Sequence, residues 1–328
     1  MAAPPSNAPP AMRSPWWLAA ALVPFLAAPL VISGNYHYGV AHQALIYVVL
    51  ATGYNILLGF TGMVSLGHVA LFAIGAYTSA ILQTSLDWPF LACLIAAAVV
   101  TGAFGTAIAI PALRIKGHYL TLLTLALGEV IRLLIRNFDW LTHGSSGIGG
   151  ISRPTIFGVP FRTAPDLYWL LLFIAAAGVL FAWRLERSRF GRAFKAIRDS
   201  EIGAEVIGID TNRMKVLSFA ISAVYAGIAG SLYAHTLRFV SPEFFSLGLT
   251  ITLLAMILIG GRGLILGPVI GATMLTIAPE ALRFAKEYYL IGFGLVIWLS
   301  TLYLPDGLAG SLGRLVARLR PARQGRAS

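Results

Sequence analysis

Charge is what this chain has least of. Only 11% of its 328 residues are Asp, Glu, Lys or Arg, and 58% are hydrophobic, where an ordinary soluble domain carries about 25% charged residues. A soluble protein of this length could not cover its surface with so few charges, so that class is excluded. Cysteine is almost missing too. Cys93 stands alone in an apolar run, which rules out a disulfide framework and a thiolate metal site and leaves a small buried hydrophobe. No G-x-x-x-x-G-K-[ST] loop occurs, so the chain is not expected to bind ATP in the P-loop manner. There is no H-E-x-x-H, no Cys/His cluster and no pair of catalytic carboxylates. The sequence therefore predicts no catalytic residue, no metal and no cofactor, and not an enzyme. Strand-like alternation is also absent, which argues against an outer-membrane barrel.

What the chain has instead is long apolar runs, near residues 16–33, 38–59, 62–83, 89–112, 118–136, 166–184, 215–235, 247–260, 264–279 and 288–304. Most are close to the ~20 residues that cross a bilayer as a helix, and backbone in lipid must satisfy its own hydrogen bonds. The prediction is an all-α, polytopic membrane helix bundle of about 8–10 segments, some of them open to being broken or re-entrant. The Ala/Pro-rich start, 1–15, reads as a disordered cytoplasmic N-terminus. The run that follows is longer than a signal-peptide core, so it reads as an uncleaved first span.

The net charge of +11 raises nucleic acid as a partner, but its distribution argues otherwise. The positive residues gather in Arg184–Lys215 and Arg314–Arg326, as they do in the cytoplasmic loops of membrane proteins. This places both termini inside. It also divides the chain into a transmembrane domain over 16–304, with a cytoplasmic loop at 185–214, and a basic cytoplasmic tail over 305–328. The longest outside loop, Asn137–Pro165, is too short and glycine-rich to be a solute-binding domain.

Two segments look broken. Residues 59–67 carry three glycines, and 260–268 (Gly-Gly-Arg-Gly-Leu-Ile-Leu-Gly-Pro) interrupt an apolar stretch. The first fits a helix broken where it lines a cavity; the second fits that or a short cytoplasmic turn. Small residues recur every four positions at Ser222, Ala226, Gly230 and Ala234, and again at Ala223, Gly227 and Ser231. Small faces let helices approach closely in lipid.

The 186–215 stretch alternates charged and apolar residues at helical spacing, with Phe194, Ile197, Ile202, Val206 and Ile209 against Arg192, Lys195, Arg198 and Glu205. An amphipathic helix over 192–210 would lie on lipid or dock in a partner; its mixed signs disfavour a simple lipid anchor. Within it, Glu201-x-x-Ala204-x-x-x-Gly208 resembles the cytoplasmic coupling motif of ATP-binding-cassette importer permeases. Its context, Gly-Arg-Ala-Phe-Lys-Ala-Ile-Arg-Asp-Ser-Glu, resembles the branched-chain amino acid permeases of the LivM type. So do Asn55–His68 running on to Tyr77, Leu120–Glu129 and Ile259–Gly271. Arg262 departs from the resemblance, since a small or apolar residue is expected there.

The resemblance implies a bacterial inner-membrane complex with two ATPase subunits, a second related permease and a periplasmic solute-binding protein. It also implies import of leucine, isoleucine and valine by alternating access. The coupling surface is expected at Arg192, Ala196, Glu201, Ala204, Glu205 and Gly208. Close relatives of the machine carry urea or short-chain amides, which the chain alone does not separate from amino acids. An ion-coupled secondary transporter is the rival of another class, but it predicts repeated halves and several coupling carboxylates, and neither is seen.

Asn55, Thr61, Ser65 and His68 place polar groups at membrane depth, where they face a path or bond between helices. Glu129 is the one mid-span carboxylate. Alone it would cost roughly 2.5–3.5 kcal/mol by insertion scales, and Arg132, one turn on, is placed to offset part of that. The translocation path is expected to include Asn55, Ser65, His68 and Glu129, with pairing to Arg132 as the other reading of Glu129.

Overall fold

The computed structural model describes residues 16–31, 34–112, 118–156, 158–281, 294 and 307–311. The predicted tenth segment, 288–304, lies outside the described residues apart from residue 294. So do the 1–15 N-terminus and most of the 305–328 tail. Each of the other nine hydrophobic segments is helical. In chain order they begin with α1 (Trp16–Val31), α2 (Asn35–Asn55), α3 (His68–Leu86), α4 (Phe90–Ala112) and α5 (His118–Asn137). After one turn, α6 (Asp139–Thr142), the chain continues with α7 (Ala164–Arg187), two short cytoplasmic-type helices α8 (Arg189–Asp199) and α9 (Glu201–Val206), and α10 (Thr211–Leu237). α11 (Leu247–Gly260) and α12 (Leu266–Ala281) complete the described bundle. Five of these helices are long and apolar enough to cross a membrane: 35–60, 68–86, 90–111, 164–187 and 211–237. The chain is an all-α polytopic membrane protein.

Two helices form the centre. Every residue from 44 to 60 is buried, because α2 is apolar on all sides and packs against α7, α10 and α12; a helix without a polar face is an interior one. α10 is the other, and the small residues spaced along it are the reason. A Cβ on Gly75 of α3 would run into Gly227, one on Gly230 into the α3 backbone at Phe72 and Ala76, and one on Gly227 into Ala97 and Thr101 of α4. The backbones of α3, α4 and α10 thus touch almost directly, the close approach that holds helices together in lipid. Outward-facing Leu91, Ile95, Val99 and Phe104 on α4 and Phe173 and Phe181 on α7 present apolar surface to the acyl chains.

Long-range bonds show which helix ends share a side. At one end the 137–165 loop is pinned down. Gln83 donates to Ser152 Oγ (2.8 Å) and accepts from its N–H (3.1 Å), His235 Nδ1 lies 2.9 Å from the Ser152 carbonyl, and Arg238 donates to the Ile151 carbonyl at 3.0 Å. A two-residue pairing of Ile148–Gly149 with Phe239–Val240 closes the same end. At the opposite end lie the 59–67 break, α8, α9 and the turn after α11.

Candidate functional site

The amphipathic stretch is not one helix. The predicted 192–210 helix is divided at Ser200, whose extended backbone ends α8 and whose hydroxyl accepts from Gly203 N–H at 3.0 Å to cap α9. Serine at a helix start satisfies a donor that the helix itself leaves open. The division sends the apolar residues two ways. Phe194 (0% exposed) and Ile197 (5%) seat α8 on the bundle, whereas Ile202 (76%), Val206 (81%) and Ile207 (71%) stand out from α9.

The residues expected at the coupling surface also divide. Arg192 is exposed, and its guanidinium donates to the Arg187 carbonyl at 3.0 Å. Ala196 is half-buried. Gly208 is exposed at φ +83°, in space free of neighbours, where glycine lets the chain turn back into α10. Ala204 is buried beneath α9. The two acids fasten α9 to the start of α10: Glu201 pairs with Lys215 at 2.5 Å, and Glu205 accepts from the Thr211 hydroxyl at 2.8 Å. The outward contact surface is therefore apolar, and the acids set its posture.

Beneath α8 the two predicted breaks meet. After Asn55 the helix widens into one π-turn, Ile56–Phe60, and the chain then runs irregularly to His68. α11 ends at Gly260, and α12 begins at Leu266 after a short turn. Asn55, 2% exposed, clamps this turn with both ends of its amide: Nδ2 donates to the Leu264 carbonyl (3.1 Å) and Oδ1 accepts from Gly263 N–H (3.0 Å). Arg262 donates to the Leu58 carbonyl (3.1 Å) and Arg198, from α8, to the Gly59 carbonyl (3.0 Å). Carbonyls that a π-turn leaves over are thus taken by two guanidinium groups. Burial first, and then the charge of Arg198, holds Arg262 below its ordinary range, and arginine remains charged there. Asp199 accepts from Arg198 at 3.1 Å.

Neither arginine stands out in the sequence as a site residue. Arg198 reads as one more charge on a polar face, and Arg262 as a departure from a family pattern. The only available signal was a basic residue in each of two segments flanked by glycines. Their meeting depends on contacts 139 and 204 residues apart.

The remaining path candidates fall into two places. His68, fully buried at the start of α3, stacks on Tyr54 with ring centroids 4.8 Å apart and lies 3.4 Å from the Ser222 hydroxyl. Its Nδ1 and the buried Ser65 hydroxyl have no hydrogen-bond partner among the described residues. Ser65 lines a small cleft with Gly67, Leu71, Thr124, Gly128 and Phe219. Buried polar groups are normally satisfied, so these two mark the one stretch of this interior with hydrogen-bonding capacity to spare. Glu129 lies apart from them, on the uncovered face of α5, in a bidentate pair with Arg132 (3.0 and 2.5 Å). The structure therefore gathers Asn55, Ser65 and His68 around the broken segment and leaves Glu129 beside it.

Comparison with known proteins agrees with this architecture. Residues 37–301 match the family model described as "Branched-chain amino acid transport system / permease component". The chain is 33% identical to the high-affinity branched-chain amino acid transport system permease protein LivM of Escherichia coli K12, over 89% of this chain and 74% of that one. It is 29% identical to LivH of the same organism, over 80% of this chain and 91% of that one. Similarity extends to the autoinducer 2 import system permease protein LsrC of Yersinia enterocolitica, 31% identical over 57% of this chain and 51% of that one. A bundle with two breaks meeting under an amphipathic segment, matched over most of its length by these permeases, leaves one assignment: the chain belongs to the family of branched-chain amino acid transport system permease components.

Proposed function

We propose that this chain is one of two related permease subunits of an ATP-binding-cassette importer in a bacterial inner membrane, carrying leucine, isoleucine and valine. Both termini lie in the cytoplasm. Two separate ATPase subunits dock on α8 and α9, and a periplasmic solute-binding protein delivers the cargo to the opposite end. The observation that carries the reading is the apolar prominence of Ile202, Val206 and Ile207, 71–81% exposed on a short helix otherwise held by polar ties. Exposed apolar side chains on an amphipathic helix are anchors for a groove in a partner. Arg192 and Gly208 complete that surface; Ala196, Glu201, Ala204 and Glu205 set its shape.

The ATPases move the prominence, Arg198 and Arg262 carry the displacement to the break after α2, and access to a fixed site alternates as the helices rock. Ser65 and His68 line the way, and Asn55 holds the turn against which they move. The similarity to an autoinducer importer shows that related permeases serve other cargo, so amino acids rest on the stronger match to LivM. Urea or a short amide is the alternative cargo.

The test is a pull-down of the tagged chain with its neighbouring gene products, extracted in mild detergent. A P-loop ATPase should elute with it in stoichiometric amount, and the complex in proteoliposomes should take up leucine. Replacing Glu201 and Gly208 together should abolish uptake and leave insertion intact. A monodisperse chain that never retains an ATPase would overturn the importer reading.

A further inference from the structure

The Glu129–Arg132 pair sits where a structural account has difficulty. α5 is 20 residues long, about 30 Å at 1.5 Å per residue, the thickness of the hydrocarbon core. Tyr119 (73% exposed) and Trp140 (79%) mark its two ends, as aromatic anchors do at membrane interfaces. Glu129 lies about midway between them, with its carboxylate 50% exposed on the subunit surface. Leu122, Val130 and Leu133 on the same helix are also 43–60% exposed. A mid-span carboxylate turned toward lipid is strongly disfavoured, and an i,i+3 partner offsets only a small part of that. This face therefore meets water or protein.

Three features say which. Leu66 N–H donates to Thr124 Oγ1 at 3.1 Å, and Gly128 packs on Gly67, so the residue before Glu129 rests on the broken segment and next to the unpartnered Ser65 hydroxyl. Arg132, 24% exposed, also lies within electrostatic range of Glu243 in the loop after α10, toward the end where solute would arrive. Ala126, exposed and one turn before Glu129, leaves room beside the carboxylate, between Leu122 and Leu133.

An anion, a cation and an apolar notch within one turn of each other match the three parts of an α-amino acid. We infer that this face of α5 is a receiving site for zwitterionic amino acids with an apolar side chain. The solute's ammonium takes the Glu129 carboxylate and its carboxylate takes the Arg132 guanidinium. Its side chain lies over Ala126. The inference rests on the importer reading above and names the solute chemistry of its path.

The test uses the whole complex in proteoliposomes with saturating loaded binding protein. Glu129→Gln and Arg132→Gln are each expected to lower leucine uptake at least ~10-fold, with the ATPase subunits retained and basal hydrolysis unchanged. The exchanged pair Glu129→Arg/Arg132→Glu should stay as poor as the single variants, because the poles are reversed for the solute. Ala126→Phe should lower the ratio of leucine to alanine uptake several-fold, a ratio that poor folding does not change. Restoration of uptake by the exchanged pair would show that the two residues serve only each other, and normal transport by the single variants would equally overturn the site. Wild-type complex that takes up no amino acid at all would instead sink the importer reading beneath it.

Discussion

Arg198→Ala tests whether the prominence and the broken helix are mechanically joined. The guanidinium is the described side-chain link between α8 and the π-turn, donating to the Gly59 carbonyl at 3.0 Å, while Asp199 holds its other nitrogens at 3.1 Å. A hydrogen bond from a charged donor contributes about 1.5–3 kcal/mol. If that energy is what passes ATPase movement to the break, its loss lowers the rate of coupled transport by roughly 10- to 150-fold. Docking itself should survive, since Ile202, Val206 and Ile207 are untouched. The assay is the number of solute molecules imported per ATP hydrolysed in proteoliposomes. Hydrolysis should continue and import should fall, with Arg198→Lys between wild type and alanine because lysine offers a point charge without the planar fork. Import per ATP within twofold of wild type would refute the link.

Further outcomes follow from the same geometry. Serine at Ile202, Val206 and Ile207 together should leave the fold intact, because all three are exposed, and should weaken ATPase binding at least ~100-fold, since each apolar side chain buried at a contact is worth about 1.5–3 kcal/mol; titration of purified ATPase onto the permease in detergent would measure it. Ser200→Ala removes the cap of α9 at a cost of about 1 kcal/mol, so the amides of 203–206 should exchange hydrogen roughly five times faster. Gly75→Val forces a side chain into the α10 backbone and should lower the temperature at which the detergent-solubilised chain aggregates, whereas valine at exposed Gly39, with open space around it, should not.

Much of the fold was legible because bilayer thickness and backbone hydrogen bonding leave a long apolar run few choices. The small faces of α10 announced its crossings for the same reason, since no large side chain intervenes. The π-turn was visible only as a cluster of glycines, and the turn at 261–265 turned out to be both a short connection and an inward-packed break. The amphipathic stretch was harder. Periodicity alone joined Ile202 and Val206 to Phe194 and Ile197 on one face, and the backbone change at Ser200 separated them. Glu201 and Glu205 looked like outward contacts because their partners, Lys215 and Thr211, come from the next helix. Site residues defined by a meeting of distant segments, as Arg198 and Arg262 are, leave no local pattern to read.

The glycine contacts between α3 and α10 also set a schedule for synthesis. Gly75 and Gly230 touch each other's helices but are made far apart in time: at 5–20 residues per second, the intervening chain takes roughly 8–30 s. Throughout that interval α3 is in or beside the insertion machinery with its glycine groove and Ser79 hydroxyl uncovered, although in the finished fold that hydroxyl lies 2.8 Å from Ser231 and 3.1 Å from His235. The half-made protein must therefore be sheltered from lipid, or α3 held back, until α10 emerges to cover it.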